Sequence, residues 1–227
     1  MTGIYLKRRP KVRIKPLAES ELALYRPPRQ RVGLLGGSFN PAHAGHRQIS
    51  LDALRCLALD AVWWLVSPQN PLKSTNETAP LGQRMVDAQR VANHPKIYVT
   101  GLEAEIGTQY SADTVAYLQR RYAKDFVWLI GADNLVQLHR WHRWHRLFAC
   151  VPIAVFDREP YSHGCQHAPA ARTYAKARRC EMEAFDLASL TPPAWVFLHT
   201  KRNALSSTAI RRGHDQSADR PPWDRRK

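Results

Sequence analysis

Apolar residues fall along this chain in two alternating rhythms. Short, unbroken apolar runs at 32–35, 62–66, 97–100, 126–130, 151–156 and 196–199 read as strands buried on both faces. Between them lie longer stretches in which apolar residues recur at helical spacing. In residues 47–59, Ile49, Leu51, Leu54, Leu57 and Ala58 fall near one face. Residues 80–93, 111–122 and 135–148 also predict helices, and 206–212 opens a last one. Ser111 can cap its helix, with Asp113 and Thr114 in the first turn. Strand–helix alternation at this spacing predicts an α/β fold: a Rossmann-like, doubly wound parallel sheet in a single domain. Residues 159–193 carry the weakest pattern, where loops and a helix around 172–180 are expected. No internal repeat is present.

The ends read differently. Residues 1–30 form a basic, mostly irregular leader broken by Pro10, Pro16, Pro27 and Pro28, with a short helix expected at 17–25. Residues 31–212 make the folded domain, and 213–227 a basic tail. The formal net charge is +15 over 227 residues. Residues 1–31 hold nine Lys/Arg against two Glu, and 211–227 hold six against three Asp, so the arms carry most of the excess. Such arms could touch a polyanion without specificity, or could simply be solvated. No run approaches the roughly 18 apolar residues of a membrane span, and the basic N-terminus lacks the apolar core of a secretory signal. The four cysteines, Cys56, Cys150, Cys165 and Cys180, are scattered, which suits reduced thiols in a cytoplasm.

The densest chemistry lies at Gly36-Gly37-Ser38-Phe39-Asn40-Pro41-Ala42-His43-Ala44-Gly45-His46. An apolar strand precedes it and a helical pattern follows. A strand, a glycine-rich turn and a helix is how a parallel sheet meets phosphate: backbone approaches the anion closely, and the helix start offers unpaired N–H groups at the positive end of its dipole. His43 and His46 add imidazole donors at that entrance. The alternatives for the pair are a metal site, which would need further ligands of matching geometry, or a structural role.

This turn resembles the signature of the nucleotidyltransferases with a histidine-x-glycine-histidine motif, and within them the bacterial nicotinate-nucleotide adenylyltransferases. Two more blocks arrive in family order: Gly131-Ala132-Asp133-Asn134 followed by Trp141, and Leu205-Ser206-Ser207-Thr208-Ala209-Ile210-Arg211. The resemblance implies transfer of AMP from ATP to nicotinate mononucleotide with release of pyrophosphate, a step of NAD synthesis. It implies that ATP is held by Gly36, Gly37, Ser38, Phe39, His43, His46, Gly131, Asp133, Ser206, Ser207, Thr208 and Arg211. His46 is expected at the α-phosphate and His43 beside the triphosphate, the two being the catalytic candidates. Ser38, Lys73, Ser111, Ala112 and Trp141 are expected around the mononucleotide, Trp141 stacking on the pyridine ring. Mg²⁺ is expected to arrive on the ATP phosphates, with no protein cage.

Several of these residues have plainer readings. Ser206 to Thr208 could be an ordinary helix cap. Asp133 could cap the helix after its strand. His139, His142 and His145, interleaved with Trp and Arg, could form a metal stripe, a nucleic-acid stack or a wet helix with two anchoring aromatics. Leu72 stands where the family usually has His before the cation, and Ser111 where it has Thr. The rivals to adenylyl transfer to nicotinate mononucleotide are a transferase of the same fold using another acceptor, and a non-catalytic basic protein that binds RNA through its arms.

Overall fold

The computed structural model describes residues 29–68, 78–157 and 164–199. The expected helices at 17–25 and 206–212 lie outside these residues, as do Lys73, Ser206, Ser207, Thr208 and Arg211. The described chain runs β1 (Arg31–Gly37), α1 (Ala44–Cys56), β2 (Ala61–Val66), α2 (Leu81–Ala92), β3 (Ile97–Thr100), α3 (Leu102–Glu105), α4 (Ser111–Arg121), β4 (Asp125–Gly131), α5 (Ala132–Gln137), α6 (Trp144–Cys150), β5 (Ile153–Phe156), α7 (Pro169–Thr173), β6 (Arg178–Arg179) and β7 (Trp195–Leu198). Three-ten turns fill in at Leu138–Arg140 and Glu181–Ser189, among others.

The strands form one seven-stranded sheet in the order β3-β2-β1-β4-β5-β7-β6. Every pairing is parallel. The Rossmann-like expectation therefore holds. Two cores explain why the strands read as unbroken apolar runs. On one face Val32, Leu34, Trp128 and Ile130 pack with Val115 and Leu118 of α4 and Leu135 of α5. On the other, Leu35, Trp64, Val127 and Leu129 pack with Ala53 of α1, Leu57 at its C-cap, and Ala88 and Ala92 of α2. Both faces are dry, so alternation vanishes. The order reverses between β1 and β4, which pair with Leu35 opposite Leu129. In a parallel sheet the crevice beyond the carboxyl ends of two such strands is where ligands bind.

Three sequence expectations change. The helix expected over 135–148 is two short ones, because the chain leaves helical geometry at Trp141 (ψ 141°) and turns left-handed at Arg143 (φ 52°). The helix expected around 172–180 lies earlier, at Pro169–Thr173. There Pro169 starts it, while Arg178 and Arg179 form an edge strand opposite Trp195 and Val196. Ser111 does not cap α4: Tyr110 takes that position without a side-chain bond, and Ser111 is the first helical residue.

Candidate active site

The phosphate turn differs in one respect from a glycine loop. Gly36 and Gly37 complete β1, opposite Leu65 and Val66. What demands glycine at 36 is packing, since a Cβ there would meet Trp128 Cη2 at 2.9 Å. The left-handed residue of the turn is Phe39, at φ 45°. Such a backbone costs a bulky residue on the order of 1–3 kcal/mol and persists only where its surroundings hold it. They do here: Phe39 is 1% exposed and stacks on Trp64 at 4.9 Å between ring centroids. The His46 ring lies 4.7 Å from it, tilted, and 5.9 Å from Trp64.

The two histidines build the start of α1. His43 is its N-cap, and its Nδ1 accepts the Gly45 N–H at 3.1 Å. His46, three residues on, returns the bond: its Nδ1 accepts the His43 N–H at 3.2 Å. This is the reciprocal capping box usually made by Ser or Thr with Glu, here made by two imidazoles. The rings lie 3.9 Å apart. A backbone N–H has no choice of role, so each Nδ1 must be the acceptor and each neutral ring carries its proton on Nε2. Both rings are thereby set as Nε2–H donors. His43 is 2% exposed, whereas His46 is only partly buried. Below them, Trp64 Nε1 donates to Ser50 Oγ at 2.7 Å and Ser50 Oγ donates to the His46 carbonyl at 2.9 Å, fixing the first turn of the helix to β2.

Across the switch point, Gly131 closes β4 and serves as the backbone cap of α5 without a side-chain bond. Asp133, second in that helix, is therefore not its cap. It adds negative charge in the first turn, at the carboxyl end of the sheet.

The third cluster gathers around the start of α4. The first helical bonds recorded there run from the Asp113 and Thr114 N–H groups to the Tyr110 carbonyl, at 2.9 and 3.1 Å. Ser111 and Ala112 thus hold first-turn N–H groups that have no acceptor within the helix. The turn carrying Trp141 is brought beside this start. His142 lies over Tyr110, with ring centroids 4.2 Å apart. Asp113 Oδ1 meets Arg143 Nη1 at 3.6 Å and Arg146 Nη1 at 3.2 Å. Trp141 itself is partly buried against the core. The break at 141–143 also dissolves the proposed histidine stripe: His142 goes to Tyr110, while His145 meets the Tyr174 hydroxyl at 3.2 Å. Among the described residues no three His, Cys, Asp or Glu side chains come together as a metal site.

Two features escaped the sequence reading. Glu103 is 5% exposed and accepts from Thr114 Oγ1 at 3.1 Å, while Thr108 and Thr114 share a hydroxyl bond at 2.9 Å. Burial pushes its carboxyl up to about 7, against the pull of the Thr114 bond. Arg84 is 2% exposed and sits beside the phosphate turn. Its position on the apolar stripe of α2, between Leu81 and Ala88, was the one available signal.

Comparison with known proteins identifies the family. The model of the cytidylyltransferase-like family matches residues 34–213. A probable nicotinate-nucleotide adenylyltransferase of Methylorubrum extorquens is 52% identical over 182 residues, covering 80% of this chain and 98% of the relative. One from Bradyrhizobium sp. shows the same identity over 182 residues, covering 80% and 95%. Among solved structures, the fold matches the Plasmodium falciparum nicotinic acid mononucleotide adenylyltransferase complexed with NaAD, with a TM-score of 0.60 at 14% identity over 81% of this chain and 83% of that one. Among the described residues no helix is long and apolar enough to cross a membrane. A strand-turn-helix capped by two histidines at the β1/β4 switch point, with this similarity over most of its length, means that the chain belongs to the nicotinate-nucleotide adenylyltransferases of the cytidylyltransferase-like family.

Proposed function

We propose that the protein transfers AMP from ATP to nicotinate mononucleotide, giving nicotinic acid adenine dinucleotide and pyrophosphate. The observation that carries this is the double-histidine cap, which presets two Nε2–H donors at a helix start beside the β1/β4 switch point. A phosphate oxygen of the mononucleotide forms a new bond to the α-phosphorus of ATP as the bond from that phosphorus to the α–β bridging oxygen breaks. The nucleophile is already an anion, so no general base is required. The work is to bring two polyanions together and to stabilise charge as it spreads over the transferring phosphoryl group.

His46 is assigned to the α-phosphate and the charge that develops there. His43, more deeply buried, holds the turn and the His46 ring in position and completes the triphosphate side. The positive end of α1 adds to both. Gly131 and Asp133 are assigned to the adenosine, and Ser206, Ser207, Thr208 and Arg211 to the β- and γ-phosphates by family resemblance. The donor set of the turn, N–H groups and imidazole N–H, suits phosphate oxygens and not a cation. Mg²⁺ is accordingly assigned to ATP's own phosphate oxygens and water, where it would neutralise part of the leaving charge. Ser111 and Ala112 offer first-turn N–H donors for the nicotinate carboxylate. Trp141, on the turn held against them, is assigned to the pyridine ring, and Lys73 to the mononucleotide.

A pyrophosphate-release assay with Mg-ATP and a panel of mononucleotides tests the reading. Nicotinate mononucleotide should give the highest kcat/KM. A higher value for another phosphate acceptor would move the protein to a different substrate, and no release with any of them would end the reading.

A further inference from the structure

Arg84 projects from the buried face of α2, and its guanidinium is spread across four carbonyls. Nε donates to Ala79 O at 2.7 Å, Nη1 to Ser38 O at 2.6 Å and to Ser67 O at 2.8 Å, and Nη2 to Pro68 O at 3.0 Å. These acceptors lie on separate stretches: the phosphate turn, the end of β2, and the approach to α2. Ser67 and Ala79 also flank the segment that carries Lys73. Asn40 of the turn ties to the same approach, accepting the Ala79 N–H at 3.3 Å. The recorded partners of Arg84 are all carbonyls, not carboxylates. Among the described residues, a full charge thus rests against the phosphate turn, met by backbone carbonyl dipoles. Burial lowers its pKa from the ordinary arginine value, yet an arginine remains charged throughout the working range.

We propose that Arg84 is a positioning residue for the triphosphate of ATP, setting the phosphate turn through the Ser38 carbonyl and lending its charge to the anion site. The inference rests on the adenylyl-transfer reading above. In a planar trans peptide the C=O and the following N–H point in opposite directions. Anchoring the Ser38 carbonyl on Arg84 therefore directs the Phe39 N–H away from α2 and fixes the peptide that leads into the left-handed residue. A planar fork with five donors can reach all these carbonyls at once, whereas a lysine donates from a single point. Among the described residues, the acceptors of Arg84 include none from the α4 start or the Trp141 turn, where the nicotinate carboxylate and ring are assigned.

Arg84→Lys keeps the charge and loses the fork, while Arg84→Gln loses both. For folded Arg84→Lys, the KM for ATP should rise about tenfold with the KM for nicotinate mononucleotide changed less than about threefold, and Arg84→Gln should be worse for ATP. A purely structural arginine would lower Tm and leave the ATP KM of the folded fraction within about twofold, which overturns the proposal; so would an equal rise for both substrates. If neither variant folds, wild-type protein supplies the answer through the NMR signals of the Arg84 Nε–H and Nη–H groups. These should shift on addition of Mg-ATP and stay put with mononucleotide alone, and silence towards Mg-ATP overturns the proposal. The same titration separates this inference from the reading it rests on. A wild-type protein that shifts these signals with ATP but transfers no AMP sustains Arg84 and refutes the assigned reaction.

Discussion

At the scale of single residues, His43 and His46 each do two jobs that are physically one. The Nδ1 atoms close the capping box, and by doing so they assign the protons to Nε2. Replacing His46 by Ala removes a bond to the helix start and the donor we assign to the developing charge. We expect kcat to fall on the order of 10²- to 10³-fold, the usual cost of losing one such contact. The His43→Ala variant should lose on the order of 1 kcal/mol of stability through the missing cap, with activity falling further than that loss explains. Urea denaturation alongside steady-state kinetics separates the two effects. Activity of folded His46→Ala within a few-fold of wild type would remove it from the chemistry. Among these residues the sequence exposed the histidines, because their motif is contiguous. Arg84 stayed hidden because its partners, at 38, 67, 68 and 79, are remote in the chain and are all backbone atoms, which leave no mark on residue type.

At the scale of elements, the joint between α4 and the Trp141 turn matters most. Asp113 holds Arg143 and Arg146, and Tyr110 holds His142. The ion pairs are partly exposed, with Arg143 and Arg146 side chains 55% and 45% accessible, so they add little to global stability. Their effect should be local. Asp113→Ala should cost less than about 1 kcal/mol by thermal melt yet raise the KM for nicotinate mononucleotide several-fold, with ATP unaffected. An unchanged mononucleotide KM would show that the joint does not position the substrate. The same element is the one assigned to selecting acid over amide. Donors at Ser111 and Ala112 aimed at a carboxylate would be left facing an amide's own N–H, at about 1–3 kcal/mol for each unpaired donor. The acid should therefore be preferred about tenfold to a few hundredfold. Trp141→Ala should weaken both forms alike, because stacking does not distinguish them. Equal specificity constants for acid and amide in the wild type would refute the assignment of the α4 start.

At the scale of the whole molecule, the buried Glu103 makes stability depend on pH. Its folded pKa of about 7 lies above the ordinary 4.5 because burial disfavours the charged form. A raised pKa means stability that is fully present below 4.5, declines as the unfolded chain alone gives up its proton, and is gone once pH has risen through about 7. The size is at most roughly 3 kcal/mol, from 1.36 kcal/mol per unit. Comparing wild type with Glu103→Gln between pH 5 and 8 isolates the effect: the wild type should lose stability relative to the variant as pH rises. A constant difference across that range would mean that Glu103 titrates normally.

The sequence by itself determined the class of fold and the kind of site. Strands buried on both faces must be apolar throughout, and helices packed on one side must repeat near 3.6, so the alternation of the two patterns was legible without coordinates. The phosphate turn was legible because its residues are neighbours in the chain. Only the tertiary structure decided the rest, and each case has a local cause. The 135–148 pattern continues in helical register although the chain breaks at 141–143, because what bends it is the docking of His142 on Tyr110 and of two arginines on Asp113. The edge strand at 178–179 depends on pairing with Trp195 and Val196, far along the sequence. Ser111 has a capping side chain, but Tyr110 occupies the cap. Gly36 resembles a phosphate glycine and is needed for Trp128 on the neighbouring strand. Periodicity and contiguous motifs are properties of the chain; joints, caps and buried charges belong to contacts between segments, which no single stretch of sequence contains.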